Sequence, residues 1–155
     1  SVDHSNLSLL TPAQAEDQFY WSKRFLTEKG FEVKSFVLPF GEYNAFLLGL
    51  SSERGYYSSI RKVERGYNPM GAFPSDIKVQ ELKSTTTDSE VALWLQQAKE
   101  RKAWLVILLH KIRITCPDQY CNSPQLLQNT LGAIKTSGLP VVTYEEGLNL
   151  VRSPR

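Results

Sequence analysis

Only two histidines stand among the 155 residues, His4 and His110. Imidazole is the side chain best suited to moving protons near neutral pH. His110 directly follows the apolar run 103–109. A strand end there would leave its ring at a rim with one face in low dielectric; a strand-terminal histidine satisfied by a loop carbonyl fits the same pattern. His4 precedes Leu7, Leu9 and Leu10, in a loop leading into a helix. Taken alone it reads as a solvated loop residue, and one imidazole cannot make a catalytic zinc site, which takes about three protein ligands. The run Phe36-Val37-Leu38-Pro39-Phe40-Gly41 breaks from apolar residues into a turn. Gly41 would let a substrate approach the backbone, so the turn could offer an N–H to a developing oxyanion. An ordinary strand-to-helix turn accounts for the same residues. Arg61, Arg65 and Asn68 could hold sugar hydroxyls or a carboxylate, or simply be solvated. Tyr43, Tyr56, Tyr57, Tyr67 and Phe73 could stack on pyranose rings or pack in a core.

The elements that must position these residues alternate in type. Thr11-Pro12 starts a helix that Gly30 ends, with Phe19, Phe25 and Leu26 near helical spacing. Residues 31–38 read as a strand, 44–52 as a short buried helix and 56–60 as a further strand. Residues 61–75, rich in Gly and Pro, read as a long rim loop. Residues 77–82 alternate as a half-buried strand does. Thr87-Asp88-Ser89-Glu90 is a capping box opening a helix to about Lys102, with Val91, Leu95 and Ala98 on one face beside Trp94. The wholly apolar run 103–109 is expected to be a strand buried on both sides. Ser123-Pro124 starts a helix with Leu126, Leu127, Leu131 and Ile134 inward and Gly138 as its stop. Residues 140–142 read as a short strand, and Thr143 caps a last helical turn carrying Leu148. Roughly four helices and five strands in alternation predict an α/β fold with a parallel sheet, about half of an eight-fold barrel.

Composition narrows the function classes. The length suits one domain over 1–155 with a real core. A net charge of +2 with interspersed signs and no Lys/Arg run argues against nucleic acid as a partner. No apolar run approaches the roughly 20 residues needed to span a bilayer. Cys116 and Cys121 lie close together in one loop. A local disulfide is expected there, suiting a secreted or cell-envelope protein; two free thiols in a cytosolic loop are the alternative.

In their order and spacing these residues resemble the polysaccharide deacetylases, carbohydrate esterases that remove N- or O-acetyl groups from glycans. Ser1-Val2-Asp3-His4-Ser5-Asn6-Leu7 is similar to the second half of the family's zinc-binding His-Ser/Thr-x-x-His element. Leu38-Pro39-Phe40-Gly41-Glu42-Tyr43-Asn44 is similar to its Pro-Tyr/Phe-Gly strand end, and Leu108-Leu109-His110 to its Leu-x-His strand end. Arg65-Gly66-Tyr67-Asn68 and residues 138–143 also run in family order.

The resemblance implies the C-terminal part of a distorted (β/α) barrel of the polysaccharide deacetylase type. His4 would be a ligand of zinc or another divalent metal. Phe40 would lend its backbone N–H to the oxyanion, within a substrate-binding rim of Pro39, Gly41, Tyr43 and Arg65. Leu108 would line the pocket for the acetate methyl, and His110 would be the general acid. The implied partner is an acetylated polysaccharide or oligosaccharide. The family's Thr-Phe-Asp-Asp element would lie upstream of His4, so the domain is expected to be truncated at its N-terminus. Its completion would come from that missing segment or from a second chain. Val37 stands where the family usually has arginine, and the aspartate–tryptophan element has no clear counterpart, Asp76 being the nearest acid. Alone, the chain is expected to bind zinc poorly and to release no acetate. An inactive glycan-binding or structural relative is the alternative.

Overall fold

A computed structural model describes residues 1–52 and 54–152. It is a mixed α/β structure. Strands β1 (Ser35–Val37), β2 (Ser59–Arg65), β3 (Ile77–Glu81) and β4 (Ile107–Leu108) form a four-stranded sheet in that order. β1 pairs with β2, and β3 with β4, in parallel. A separate two-stranded sheet joins β5 (Lys111–Ile112) to β6 (Cys121–Asn122). The chain divides into two compact units, Ser1–Val63 with Phe73–Ile77, and Glu64–Ala72 with the residues from Lys78 onward. Among the described residues no helix is long and apolar enough to cross a membrane.

In the first unit, helix α1 (Pro12–Glu28) starts where the sequence places it. Thr11 caps the N–H of Gln14, and the Gln14 side chain returns to the Thr11 N–H at 3.0 Å. Gly30 adopts a positive φ of 87° after the helix ends. The buried stripe is Ala15, Phe19 and Ser22. Phe19 stacks on Phe36 of β1 at 4.1 Å between centroids, with Tyr57 edge-on at 5.7 Å. Of the apolar residues noted at helical spacing, Phe19 is buried, while Phe25 and Leu26 are 60% and 38% exposed. Helix α2 (Ala45–Ser52) sends Leu47 and Leu50 into the same core, and the Asn44 side chain caps the Leu47 N–H at 3.0 Å.

Two strand expectations shift here. Of residues 31–38, only Ser35–Val37 pair. β2 begins at Ser59 rather than Tyr56, since Tyr57 turns into the core, and it continues to Arg65. The parallel register Ser35↔Ser59 to Val37↔Arg61 carries the chain on past Ile60. The irregular rim loop therefore starts only after Arg65, not at Arg61.

In the second unit, Thr87 and Glu90 form the expected capping box of helix α3 (Asp88–Glu100), which buries Val91, Trp94, Leu95 and Ala98. Helix α4 (Pro124–Ser137), capped by Ser123 and closed by Gly138 at φ 69°, packs Leu126, Ala133 and Ile134 against that face. Leu131, expected inward, is 56% exposed; it lies off the stripe that Leu126, Ala133 and Ile134 define. The run 103–109 is not a doubly buried strand. Only Ile107–Leu108 pair, both half-buried, and Trp104 instead bridges Asn68. Residues 140–142 form no strand, and Val141 is 81% exposed. The last helix, α5 (Tyr144–Arg152), is more than a single turn; the Thr143 hydroxyl caps the Glu146 N–H at 3.3 Å, and Leu148 and Val151 are buried.

Candidate functional site

The first unit builds its candidate site from backbone. β1 hands the chain to a 3-10 turn at Pro39–Gly41. Pro39 and Gly41 are buried and Phe40 is exposed. The N–H of Gly41 donates to the Leu38 carbonyl at 3.1 Å. Phe40 sits at φ 58°, a left-handed conformation that costs a residue with a Cβ about 1–2 kcal/mol. Gly41 follows at φ 73°, and a Cβ there would overlap the Val63 side chain, so only glycine fits.

Among the described residues, the non-glycines with positive φ are His4 at 61°, Phe40 at 58° and Lys102 at 49°. Two of these three touch: the His4 ring meets the Phe40 ring edge-on at 5.0 Å. Backbone strain persists only where the surroundings enforce it, and it gathers at functional positions. The neighbouring Asp3 carboxylate accepts from the Ser5 N–H at 2.9 Å and the Gln18 amide at 3.1 Å, and the Ser5 bond holds it below the usual carboxylate range. Tyr43 carries the Lys62 ammonium 3.9 Å above its ring, and Lys62, 6% exposed, is ion-paired with Asp76 at 3.0 Å. The Tyr43 face that meets Lys62 is closed to a sugar. Asp76 has a structural partner.

The second unit builds its site from side chains. In the β3–β4 register Glu81 stands opposite Leu108, so His110, two residues on, falls near the Glu81 carboxylate. His110 Nε2 lies 3.0 Å from Glu81 Oε1, and Lys83 Nζ lies 3.3 Å from Glu81 Oε2. The carboxylate thus bridges an imidazole and an ammonium. Tyr120 sets its ring edge-on to His110 at 5.4 Å, and Lys83 sits 5.6 Å from the Tyr120 centroid. The loop carrying Tyr120 is closed by the Cys116–Cys121 disulfide. An ion pair from Lys111 to Asp118 at 2.9 Å also ties it down, and that lysine holds the Asp118 carboxyl below its usual range.

The other sequence candidates divide. Leu108 is half-buried beside this pair. Arg65 is exposed at the end of β2; the Glu90 carboxyl is held low chiefly by the Thr87 backbone N–H and hydroxyl, with the Arg65 charge adding to them. Asn68 is no sugar ligand. It is 1% exposed, its amide donates to the Lys78 and Trp104 carbonyls at 3.0 and 3.1 Å, and its oxygen accepts the Lys78 N–H at 2.8 Å. Every donor is spent on tying loop to strand.

Sequence reasoning missed Glu81, Lys83 and Tyr120. The alternation of residues 77–82 places Glu81 at a strand end, but only the register shows which neighbour it meets. An apolar cavity of about 690 Å³ in the second unit also escaped it. Trp104, Ile107, Leu139 and Val141 are among its walls, with Lys99 and Lys102 the charged residues lining it; His110 is not among them.

Among the described residues no group of three His, Cys, Asp or Glu side chains is placed to hold an ion. His4, with the Phe40 ring against its own, is a single candidate ligand and does not by itself fit zinc's need for about three. No family model, no curated protein and no solved structure matches the chain.

Proposed function

We propose that this chain supplies part of the site of a deacetylase acting on an acetylated polysaccharide or oligosaccharide, with His110 as its proton donor. The observation that carries this reading is the His110–Glu81 pair at the end of parallel strands. An ionised Glu81 accepts the Nε2 proton of His110, which fixes the ring and leaves Nδ1 as the nitrogen that exchanges protons. Lys83 on the other carboxylate oxygen keeps Glu81 in place. As a tetrahedral intermediate collapses, the imidazolium gives its Nδ1 proton to the departing amine or alkoxide. The first unit is a candidate by itself, its Phe40 N–H proposed as a donor to a developing oxyanion. The strain at Phe40 supports that role, since a preformed donor needs no reorganisation when charge develops. Leu108 is proposed to meet the acetate methyl and Arg65 a sugar hydroxyl. His4 is the residue this chain would offer a metal. The disulfide supports a secreted or cell-envelope location.

Calorimetry with N-acetylated chitotetraose and its de-N-acetylated form tests the reading. The acetylated sugar is expected to bind in preference, and His110→Ala to weaken it. Equal binding of both sugars, untouched by His110→Ala, would instead mark a glycan-binding relative, and binding of neither would end the proposal. Zinc titration is expected to show weak, non-stoichiometric binding and no acetate release; tight one-to-one binding would contradict the single-ligand account of His4.

A further inference from the structure

We propose that Tyr120, Gln119 and Lys83 form a sugar subsite beside His110, taking the pyranose ring on the leaving-group side of the scissile acetyl linkage. The inference rests on the deacetylase reading of His110. Tyr120 is 42% exposed while its backbone is held on both sides. Its N–H donates to Asp118 Oδ1 at 2.9 Å and its carbonyl accepts the Lys111 N–H at 3.3 Å. The next residue is Cys121 of the disulfide, itself buried in β6. Asn122 behind it is fully buried and donates to the Leu82 carbonyl at 2.9 Å. The ring is therefore presented on a rigid base: Lys83 Nζ lies over one face at 5.6 Å and His110 meets the ring edge-on, so the face offered to a sugar is the one opposite Lys83.

Two polar side chains lie beside the ring, Lys83 over it and Gln119 bonded to Lys83. The Gln119 side chain accepts from Lys83 Nζ at 3.4 Å, and its backbone carbonyl accepts the Ser84 N–H at 3.0 Å. An amide and an ammonium thus flank an aromatic platform. A hexose offers one face of C–H groups and an equatorial rim of hydroxyls. The C–H face suits Tyr120, and the rim suits the Gln119 amide and the Lys83 donors. The same Lys83 braces Glu81, so one side chain links the sugar's position to the proton donor. Tyr120 is a positioning and specificity residue, not a catalytic one.

The test is an NMR titration of the 155-residue chain, disulfide intact, with N-acetylated chitotetraose. Saturable shifts are expected at the Tyr120 and Gln119 N–H signals. Tyr120→Phe keeps the platform and is expected to leave affinity within about two-fold; Tyr120→Ala removes it and is expected to weaken binding about five-fold. Unchanged affinity in Tyr120→Ala, with His110→Ala still weakening binding, would overturn the subsite and leave the deacetylase reading standing. No saturable shift in the unsubstituted chain would overturn both. If the Tyr120→Ala spectrum is not native, Gln119→Ala reads the same site: weaker binding supports the subsite, and unchanged binding overturns it.

Discussion

The two units prepare their candidate sites by different means. The first relies chiefly on backbone geometry and apolar packing, with the His4 ring and the Lys62–Asp76 pair beside them: a strained Phe40 backbone, a glycine that only glycine can replace, and a core of Phe19, Phe36 and Leu38 beneath the turn. Even its α1 capping box uses Gln14. The second uses charge and a covalent closure: Glu81 between His110 and Lys83, Lys111 on Asp118, and a disulfide behind Tyr120. Its capping residues at α3 and α5 are Glu90 and Glu146. A backbone donor needs a rigid frame that ignores pH, whereas a proton-transferring imidazole needs a partner carboxylate. The contrast follows the roles proposed for Phe40 and His110.

The sharpest way to break this contrast is at the frame. Phe19→Ala empties the centre of the first unit and is expected to destabilise it by about 3–5 kcal/mol in chemical denaturation. A loss under about 1 kcal/mol would mean the turn is not held by that core. Replacing Cys116 and Cys121 by Ser opens a short loop and is expected to cost about 2 kcal/mol, with the loss of ordered Tyr120 amide signals; an unchanged Tyr120 environment would show that the disulfide does not position the ring. Phe40→Gly relieves left-handed strain and is expected to stabilise by about 1 kcal/mol, because the exposed phenyl loses little packing. Destabilisation would show that Phe40 is not strained.

The smallest effect is on pH. The Thr87 and Thr143 backbone N–H groups hold the Glu90 and Glu146 carboxyls below their usual range. A depressed folded-state value means the stabilisation is present above the unfolded carboxylate pKa and is lost as pH falls through the folded one. Hydrogen exchange in mild acid is therefore expected to rise at the starts of α3 and α5 and not at α1, where Gln14 does not titrate. Equal fraying of all three would remove that difference between the units.

Much of the frame was legible because caps and stops are local signals. Thr11-Pro12, Thr87 to Glu90, Ser123-Pro124 and Gly138 mark helix ends through the hydrogen bonds of a few adjacent residues. Strand lengths were not legible, because pairing is decided by distant partners. Apolar content alone makes 103–109 look like a strand, yet Trp104 bridges Asn68 and only Ile107–Leu108 pair beside β3. Of the candidate site, His4, Phe40 and His110 could be read from residue type and position. The His4–Phe40 contact could not, nor could Glu81, since a one-residue change of register would turn its carboxylate away from His110.

Because the chain has only two histidines, one spectrum tests the central claim directly. In a sample labelled with 15N at histidine, the two ring systems are read while N-acetylated chitotetraose is added. The account predicts that His110 holds its proton on Nε2, that its Nδ1 signal shifts saturably with the sugar, and that Glu81→Ala abolishes the tautomer preference. A His110 ring that stays unmoved by the sugar in the folded chain, with the same tautomer mixture whether or not Glu81 is present, would contradict it.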